Sequence, residues 1–358
     1  MFLAFFFYRK RHIFFIADIS CSVFGAIAIK TPIQLRDTMV IRVRYRYLFV
    51  AAAVLLSAAV LFILHGSGEI AAGAAAEVTG TENLAEEGEV VLPIIMYHEI
   101  KTFKLGKDVI SPYEFESDLK YIREHEYHTI TMTELINYVN EGGELPQNPI
   151  VLSFDDGYLS TYQYALPLLR QYQMKIVFSV IGRDTDNFSE YPSKNIDYAH
   201  VTWDQLREMS ESGCVEVQNH TYNLHAYTQS RLGCMQSSGE TLSHYEQLLT
   251  DDISLLQEKI MAATGTVPNT FTYPYGKSSE STLPIIKSLG FEAVLTCNYG
   301  VNIIGDDPEA LYKLKRVCRS HDDTLSGLLK AAYKTIKRPA NLTKEQLTQN
   351  GCMPPMET

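Results

Sequence analysis

Apolar and polar residues alternate in a regular pattern from Val90 to Ile336. Short apolar runs of strand length are separated by longer stretches in which apolar residues recur at helical spacing. The runs predicted to be strands are VVLPIIMYH, NPIVLSF, KIVFSVI, CVEVQNH, NTFTYPY, FEAVLTC and YKLKRVC. Residues 90–336 are therefore predicted to form one α/β domain.

Capping residues mark where several helices begin. Ser111 and Glu114 form a capping box, which predicts a helix that continues to about His125. Thr133 is predicted to open the next helix, which Gly142 would end. Because strands separated by helices run parallel, the elements predict a parallel sheet with crossover helices.

The number of strand–helix units selects the architecture. About seven units favour a closed, distorted (β/α)7 barrel of the TIM type over an open sheet. In such barrels the chemistry lies at the carboxyl ends of the strands. The polar residues that directly follow strands are therefore the candidate functional residues.

A longer apolar run precedes this domain. Residues 48–64 have the sequence LFVAAAVLLSAAVLFIL, close to the length that crosses a bilayer as a helix. Arginines precede the run within residues 39–47, whereas no Lys or Arg follows it before Lys101. This asymmetry predicts a single-pass membrane anchor with residues 39–47 in the cytoplasm and the main domain outside the cell.

Other interpretations of the amino-terminal region stay open. Small residues at 74–76 resemble a cleavage site, and cleavage there would secrete the domain. Met39 begins a segment that resembles a complete targeting sequence, so residues 1–38 are interpreted as an upstream extension. Their apolar content also allows a two-helix membrane hairpin.

The remaining segments have simpler compositions. Residues 65–89 are rich in Gly, Ala and Glu and are predicted to be a flexible linker. Residues 337–358 are polar, without a clear pattern, and are interpreted as a tail.

Composition and charge exclude some classes of partner. The 358 residues are 46% hydrophobic and 20% charged, as in an ordinary globular protein with a substantial core. A net charge of -11 without a basic cluster in the main body argues against nucleic acid or anionic lipid as a partner. The six cysteines contain no C-x-x-C pair, so no cysteine zinc site is predicted, and those near strands are interpreted as small core residues.

Two carboxylates follow the predicted strand PIVLSF. Asp155 and Asp156 precede Gly157, and Asp-Gly is also a common turn dipeptide, so a simple turn is the alternative interpretation. Adjacent carboxylates repel each other, which favours a cation beside them. One could bind a metal while its neighbour accepts a proton.

Two histidines follow the strand CVEVQN. His220 and His225 are five residues apart, so they share neither a helix face nor a strand face. They can converge only if the chain bends after the strand; otherwise they are unrelated loop histidines. Two His and one Asp can hold a divalent metal and leave a position open for water.

Two further strand ends carry candidate groups. Tyr275 lies between Pro274 and Gly276, which predicts a sharp turn that could aim a backbone N–H into the site. His98 follows VVLPIIMY and could carry a proton near neutral pH. An ordinary turn and an ordinary histidine at a strand exit are the alternatives.

Together these motifs resemble those of the polysaccharide deacetylase family, carbohydrate esterase family 4, with its NodB-type homology domain. The segment SFDDG is similar to the first family motif, NHTYNLH to the second, and TYPYG to part of the third. The chain departs from the general pattern at Thr272, where the family usually has Arg. The residues around His321 also do not match the usual late motif with its catalytic His.

The wider histidine spacing and an early catalytic His resemble one branch, the permuted deacetylases acting on poly-β-1,6-N-acetylglucosamine. The segment PIIMYHEI with His98 is similar to the early motif of that branch. The resemblance implies a metal-dependent hydrolase of linear amides that deacetylates N-acetylglucosamine units of an extracellular polysaccharide. The glycan would be an exopolysaccharide or a cell-wall glycan.

The resemblance also implies roles for residues. Asp156, His220 and His225 would bind a divalent metal, with Zn²⁺ the expected ion. Asp155 would be the general base.

The same resemblance implies two further catalytic roles. The backbone N–H of Tyr275 would stabilise the oxyanion, and His98 would protonate the departing amine. Two other functions stay open: an amidase of another acylated substrate, and a catalytically weak glycan-binding surface protein on the same scaffold.

Overall fold

The computed structural model of the protein describes residues 8–9, 12–13, 88–229 and 231–336. The predicted anchor, the tail and most of the predicted linker lie outside the described residues. Within the described ranges, no helix combines the length and the apolarity that crossing a bilayer requires.

The chain divides into two compact units, residues 1–76 and 77–358. In the first unit, strand β1 (Tyr8–Arg9) pairs antiparallel with β2 (His12–Ile13). The remaining elements belong to the second unit.

The second unit alternates strands and helices, as the apolar pattern predicts. The strands are β3 (Val90–Leu92), β4 (Ile94–Tyr97), β5 (Glu99–Ile100), β6 (Val109–Ile110), β7 (His128–Thr129), β8 (Pro149–Phe154), β9 (Ile176–Val180), β10 (Val215–Asn219), β11 (Thr270–Thr272), β12 (Ala293–Tyr299), β13 (Asn302–Ile304) and β14 (Leu314–Cys318). The helices are α1 (Pro112–Glu124), α2 (Met132–Glu141), α3 (Leu166–Tyr172), α4 (Gly182–Glu190), α5 (Trp203–Glu211), α6 (Leu242–Thr264), α7 (Thr282–Ser288) and α8 (Leu325–Tyr333).

Seven parallel strands form a closed barrel in the order β4-β14-β12-β11-β10-β9-β8, and β4 also pairs with β8. Contacts that skip a strand cross the interior of this barrel. The Ser179 and Thr272 hydroxyl oxygens, on β9 and β11, lie 2.7 Å apart, and Arg316 Nη1 on β14 lies 3.3 Å from Ser153 Oγ on β8. The predicted seven-stranded parallel barrel with surrounding helices is confirmed.

The apolar run VVLPIIMYH is not one strand, and that prediction is wrong. Pro93 separates β3 from β4, and β3 pairs antiparallel with β13 outside the barrel. Proline has no N–H to donate to a ladder, which favours a break at this position. Only β4, after the proline, is a barrel strand.

The start of α2 also differs from the prediction. The N-cap is Thr131, whose hydroxyl oxygen accepts a hydrogen bond from the Glu134 N–H, and the Glu134 carboxylate accepts the Thr131 N–H in return. Thr133 lies inside the first turn. The capping box at Ser111 and Glu114 opens α1 as predicted.

An aromatic cluster on the outer face of the barrel orients the strand ends. The rings of Tyr97 and Phe154 stack with centroids 4.8 Å apart, and Phe115 of α1 contacts both edge to face. Successive strand side chains point to opposite sides. With Tyr97 and Phe154 packed outward, the next residues, His98 and Asp155, are directed toward the mouth of the barrel.

Candidate active site

The polar residues that follow four barrel strands meet at one end of the barrel. Asp155 and Asp156 follow β8, and the Asp155 N–H donates to the Tyr97 carbonyl at 3.0 Å. His220 follows β10, and its N–H donates to the carbonyl of Val180 at 3.1 Å. These backbone bonds continue the ladders, so the strand ends carry the side chains into a common space.

Three of these side chains form a cluster with the composition of a metal site. The Nε2 atoms of His220 and His225 lie 3.4 and 3.3 Å from Asp156 Oδ1, and the three ligand atoms lie within 4.8 Å of one another. Two ligands that are each about 2.1 Å from a tetrahedral ion are about 3.4 Å apart. The spacing therefore fits a single divalent cation.

Hydrogen bonds fix both imidazole rings with Nε2 directed at Asp156. His220 Nδ1 lies 2.8 Å from the Thr272 carbonyl, which can only accept, so Nδ1 carries the proton. His225 Nδ1 lies 3.1 Å from the Tyr275 hydroxyl. In the neutral His220 ring, Nε2 offers its lone pair toward the carboxylate, an arrangement that a cation stabilises and that is typical of ligating histidines.

The pKa shifts of His225 and Asp156 favour their ligand forms, whereas the Asp156 and Asp155 carboxylates outweigh burial and raise the pKa of His220. Burial lowers the pKa of His225 to about 4, so the ring is neutral at neutral pH. Burial opposes the ionisation of Asp156, but attraction to His225 and His98 in their protonated forms and the hydrogen bond with His220 outweigh it and hold the pKa of the carboxyl below its ordinary value. A neutral imidazole and a carboxylate are the forms that bind zinc.

A bend after β10 brings the two histidines together despite their spacing. Thr221 has a φ of +70°, in the left-handed region. The Asn219 side-chain oxygen accepts the Thr221 N–H at 2.9 Å, and the Asp252 carboxylate on α6 accepts the N–H groups of Tyr222 and Asn223, both at 2.8 Å. Asp252 thus holds the chain between the histidines.

Asp155 is buried and forms an ion pair with an arginine that the motif analysis did not identify. Arg316 Nη1 on β14 lies 2.8 Å from Asp155 Oδ1, and the guanidinium is fully buried. Burial would raise the pKa of Asp155, but the Arg316 charge and His220 reverse the shift and hold the pKa below its ordinary value. Arg316 supplies from β14 the positive charge that Thr272, in the place of the family's usual Arg, does not carry.

His98 lies beside both aspartates. Burial alone would lower its pKa, but the carboxylates of Asp156, Asp155 and Asp108 together raise the pKa above the usual value for histidine. A raised pKa favours a protonated ring near neutral pH, the form required of a proton donor.

Tyr275 occupies the turn that its neighbours predict. Its φ of +56° lies in the left-handed region, within a short 3₁₀ turn after β11. Gly276 follows, and an added Cβ there would meet the Cys297 side chain at 2.6 Å, so the turn tolerates only glycine. The Tyr275 hydroxyl, which the sequence did not indicate, contacts His225.

His321 lies apart from this site. Its Nδ1 is 2.9 Å from a carboxylate oxygen of Glu114 at the start of α1. Of the described cysteines, Cys234 and Cys318 are buried, and Cys214 and Cys297 are half-buried.

The residues that sequence reasoning missed are Arg316, Asp252 and Asp108. One feature of the sequence could have identified Arg316: it is a charged residue within the apolar run of a predicted central strand. Asp252 and Asp108 lie in a helix and in a loop between short strands, where no local pattern separates them from surface carboxylates.

Comparisons with known proteins agree with these motifs. The sequence model of the family described as polysaccharide deacetylase matches residues 142–294. A poly-beta-1,6-N-acetyl-D-glucosamine N-deacetylase of Escherichia coli (strain K12) is 26% identical over 199 residues, which cover 51% of this chain and 30% of the relative. An enzyme of the same name from Staphylococcus aureus (strain N315) is 26% identical over 199 residues, which cover 54% of this chain and 61% of the relative.

Solved structures show the same fold. A de-N-acetylase from Aggregatibacter actinomycetemcomitans superposes with a TM-score of 0.58 at 25% identity, covering 67% of this chain and 99% of the other. The IcaB protein from Ammonifex degensii superposes with a TM-score of 0.57 at 27% identity, covering 68% of this chain and 97% of the other. The chain thus matches almost the whole of these structures but less than two thirds of the two curated relatives.

Proposed function

We propose that the chain, whose residues 142–294 match the polysaccharide deacetylase family model, is a hydrolase that removes acetyl groups from N-acetylglucosamine units of a polysaccharide. The observation that carries the proposal is the convergence of Asp156, His220 and His225 beside the Arg316-paired Asp155 and beside His98. In this proposal these groups serve as a metal-ligand set, a base and a proton donor at one mouth of the barrel.

The donor set fits a divalent metal, and zinc suits two imidazoles and one carboxylate. Asp156, His220 and His225 would hold the ion. When bound, it would lower the pKa of a coordinated water and polarise the acetyl carbonyl.

The protein groups account for the proton transfers. Asp155, kept ionised by Arg316, takes a proton from the attacking water as a new C–O bond forms at the acetyl carbon. The backbone N–H of Tyr275 donates a hydrogen bond to the resulting oxyanion. His98 gives its proton to the sugar nitrogen as the C–N bond breaks, and acetate and a glucosamine unit are released.

The substrate class in this proposal is poly-β-1,6-N-acetylglucosamine. Its support is the activity for which the Escherichia coli and Staphylococcus aureus relatives are named, together with the early position of His98 and the five-residue histidine spacing. A β-1,4-linked cell-wall glycan is the competing substrate.

Acetate release from N-acetylglucosamine oligomers tests the activity. The full-length protein is treated with a chelator and assayed with β-1,6 and β-1,4 oligomers before and after zinc is restored. We expect zinc-dependent release that is faster with the β-1,6 oligomers. Bound metal without acetate release from either oligomer would contradict the proposal and favour another acylated substrate or glycan binding alone.

The location in the cell is part of the same proposal. Residues 48–64 would anchor the chain in the membrane with the barrel outside the cell, where such a polysaccharide is found. Protease added to intact cells should remove the barrel and leave the cytoplasmic residues 39–47 protected. A barrel that is cleaved only after lysis would exclude this orientation.

A further inference from the structure

His98 belongs to a second group of metal-type donors. The ligand atoms of His98, Asp108 and Cys318 lie within 4.8 Å of one another. This group contains a thiol, which the Asp156 group lacks, and it shares no residue with that group.

The backbone places these three residues together. On adjacent strands, Cys318 of β14 lies opposite Met96 of β4, and Arg319 N–H donates to the Met96 carbonyl at 2.9 Å. His98 is two residues beyond Met96, so its side chain leaves the strand on the same side as that of Met96. The Glu99 N–H, next to His98, donates to the Asp108 carbonyl at 3.1 Å, which fixes the third donor.

The contacts within this group differ from one side chain to the next. Cys318 Sγ lies 3.7 Å from Asp108 Oδ1, a weak thiol–carboxylate contact. His98 Nδ1 is buried and makes no hydrogen bond within the described residues. A buried polar atom without a partner is costly and indicates a position that a ligand would satisfy.

The chemistry of the donors selects the ion. A thiolate, an imidazole and a carboxylate are together typical of zinc, whereas calcium and magnesium take oxygen ligands. The three ligand atoms lie within 4.8 Å of one another, and binding of a zinc ion would shorten these separations by up to about 1 Å. The thiol would release its proton to solvent on binding.

We propose that His98, Asp108 and Cys318 form a second zinc site, and that its occupation inhibits the enzyme. One nitrogen of the His98 ring is then held by the ion, so the ring cannot carry a second proton and cannot act as the proton donor. Inhibition rests on the deacetylase function proposed above, whereas metal binding at this site does not.

Cobalt substitution tests the site without relying on activity. The full-length protein is freed of metal and titrated with Co²⁺, whose bond to sulfur gives a near-ultraviolet charge-transfer band. The Asp156 group has no sulfur, so we expect the band only as the second equivalent binds. Cys318→Ser should abolish the band, and Cys214→Ser, which removes a half-buried thiol outside this group, should retain it.

A zinc titration of activity tests the inhibition. Activity should rise with the first equivalent and fall with excess zinc, with each variant compared with its own maximum. Cys318→Ser should raise the half-inhibitory zinc concentration at least about tenfold, and Cys214→Ser should leave it unchanged.

The outcomes separate the two proposals. A band that persists in Cys318→Ser, or no band at saturating Co²⁺, overturns the second site. Inhibition that Cys318→Ser does not relieve overturns its inhibitory role. A Cys318-dependent band without deacetylation at any zinc concentration supports the site and refutes the proposed function.

Discussion

Asp155 and Asp156 are neighbours in the chain, yet their carboxylates have different surroundings. Asp156 has a φ of +72°, so the backbone turns between them. Asp155 is directed at the Arg316 guanidinium, and Asp156 at two imidazoles. Two identical side chains can therefore serve as a base and as a metal ligand.

Separate substitutions should distinguish these two roles. Asp155→Asn should retain zinc and lower kcat by about 10²- to 10⁴-fold, because the carboxylate that accepts the proton, and its ion pair with Arg316, are lost while the metal ligands remain. Asp156→Ala should lose activity and the zinc equivalent held with His220 and His225, because a ligand of that group is removed. Zinc content by elemental analysis and acetate release measure the two effects. A fully active Asp155→Asn protein would refute the role of Asp155 as the base.

Arg316 should be essential to the stability of the barrel. Arg316→Met keeps the volume of the side chain but leaves the buried Asp155 carboxylate without its cation, at a cost of about 3–5 kcal/mol in the free energy of unfolding. Lys315→Met removes an equal charge from the exposed face of the same strand and should change little. Urea denaturation measures both; equal effects in the two variants would contradict the prediction.

At this scale the sequence predicted which residues are candidates but not all of their partners. Strand-end residues such as Asp155 and His220 are visible because they interrupt an apolar pattern. The partner of Asp155 was not visible, because Arg316 reaches it across the barrel interior from a strand that is distant in sequence. Such pairs depend on the order of strands in the closed sheet, which local pattern does not specify.

Among the elements, α6 contributes to the site through one carboxylate. Asp252 accepts two backbone N–H groups from the loop between His220 and His225. The loop thus depends on a helix that contains none of the candidate ligands.

Asp252 should give the protein a distinctive pH dependence. Burial raises its pKa to about 6, against 3.8 for an ordinary aspartate. Between these values the folded chain binds more protons than the unfolded chain, so the contribution to stability falls as pH rises from about 4 to 6. Across this window the difference in unfolding free energy between wild type and Asp252→Asn should change by about 2–3 kcal/mol.

Denaturation by urea at several pH values between 4 and 7 tests this expectation. Asp251→Asn, at the exposed neighbouring position on the same helix, is the matched control and should show no such change. A difference that stays constant with pH for Asp252→Asn would contradict the raised pKa.

For the elements, the apolar pattern predicted type and order well and boundaries less well. Thr131 and Thr133 are both plausible N-caps, and only the reciprocal bond with Glu134 distinguishes them. The break at Pro93 could have been predicted, because proline has no N–H to donate to a strand ladder. The antiparallel pairing of β3 with β13 could not, because it joins segments far apart in sequence.

For the whole molecule, the proposed ion would join the loops after β8 and β10, which belong to different parts of the chain. Restoring zinc to the chelated protein, at a free concentration about 100 times its Kd, should raise the free energy of unfolding by about 2.7 kcal/mol. Differential scanning calorimetry measures the accompanying rise in Tm. Asp156→Ala should lose most of the rise, and Asp155→Asn should keep it; an equal rise in both would place the ion elsewhere.

The pairing of β4 with both β8 and β14 also determines how late during synthesis the barrel can close. β4 is the first barrel strand to be synthesised and β14 is the last. One edge of β4 therefore stays unpaired until the end of the domain has been synthesised. Contacts between such distant segments make folding slow and leave strand edges exposed to aggregation in the meantime. Because His98 follows β4 and Arg316 lies on β14, a nascent or truncated chain lacks part of the proposed catalytic centre, and enzymatic activity would report that the barrel has closed.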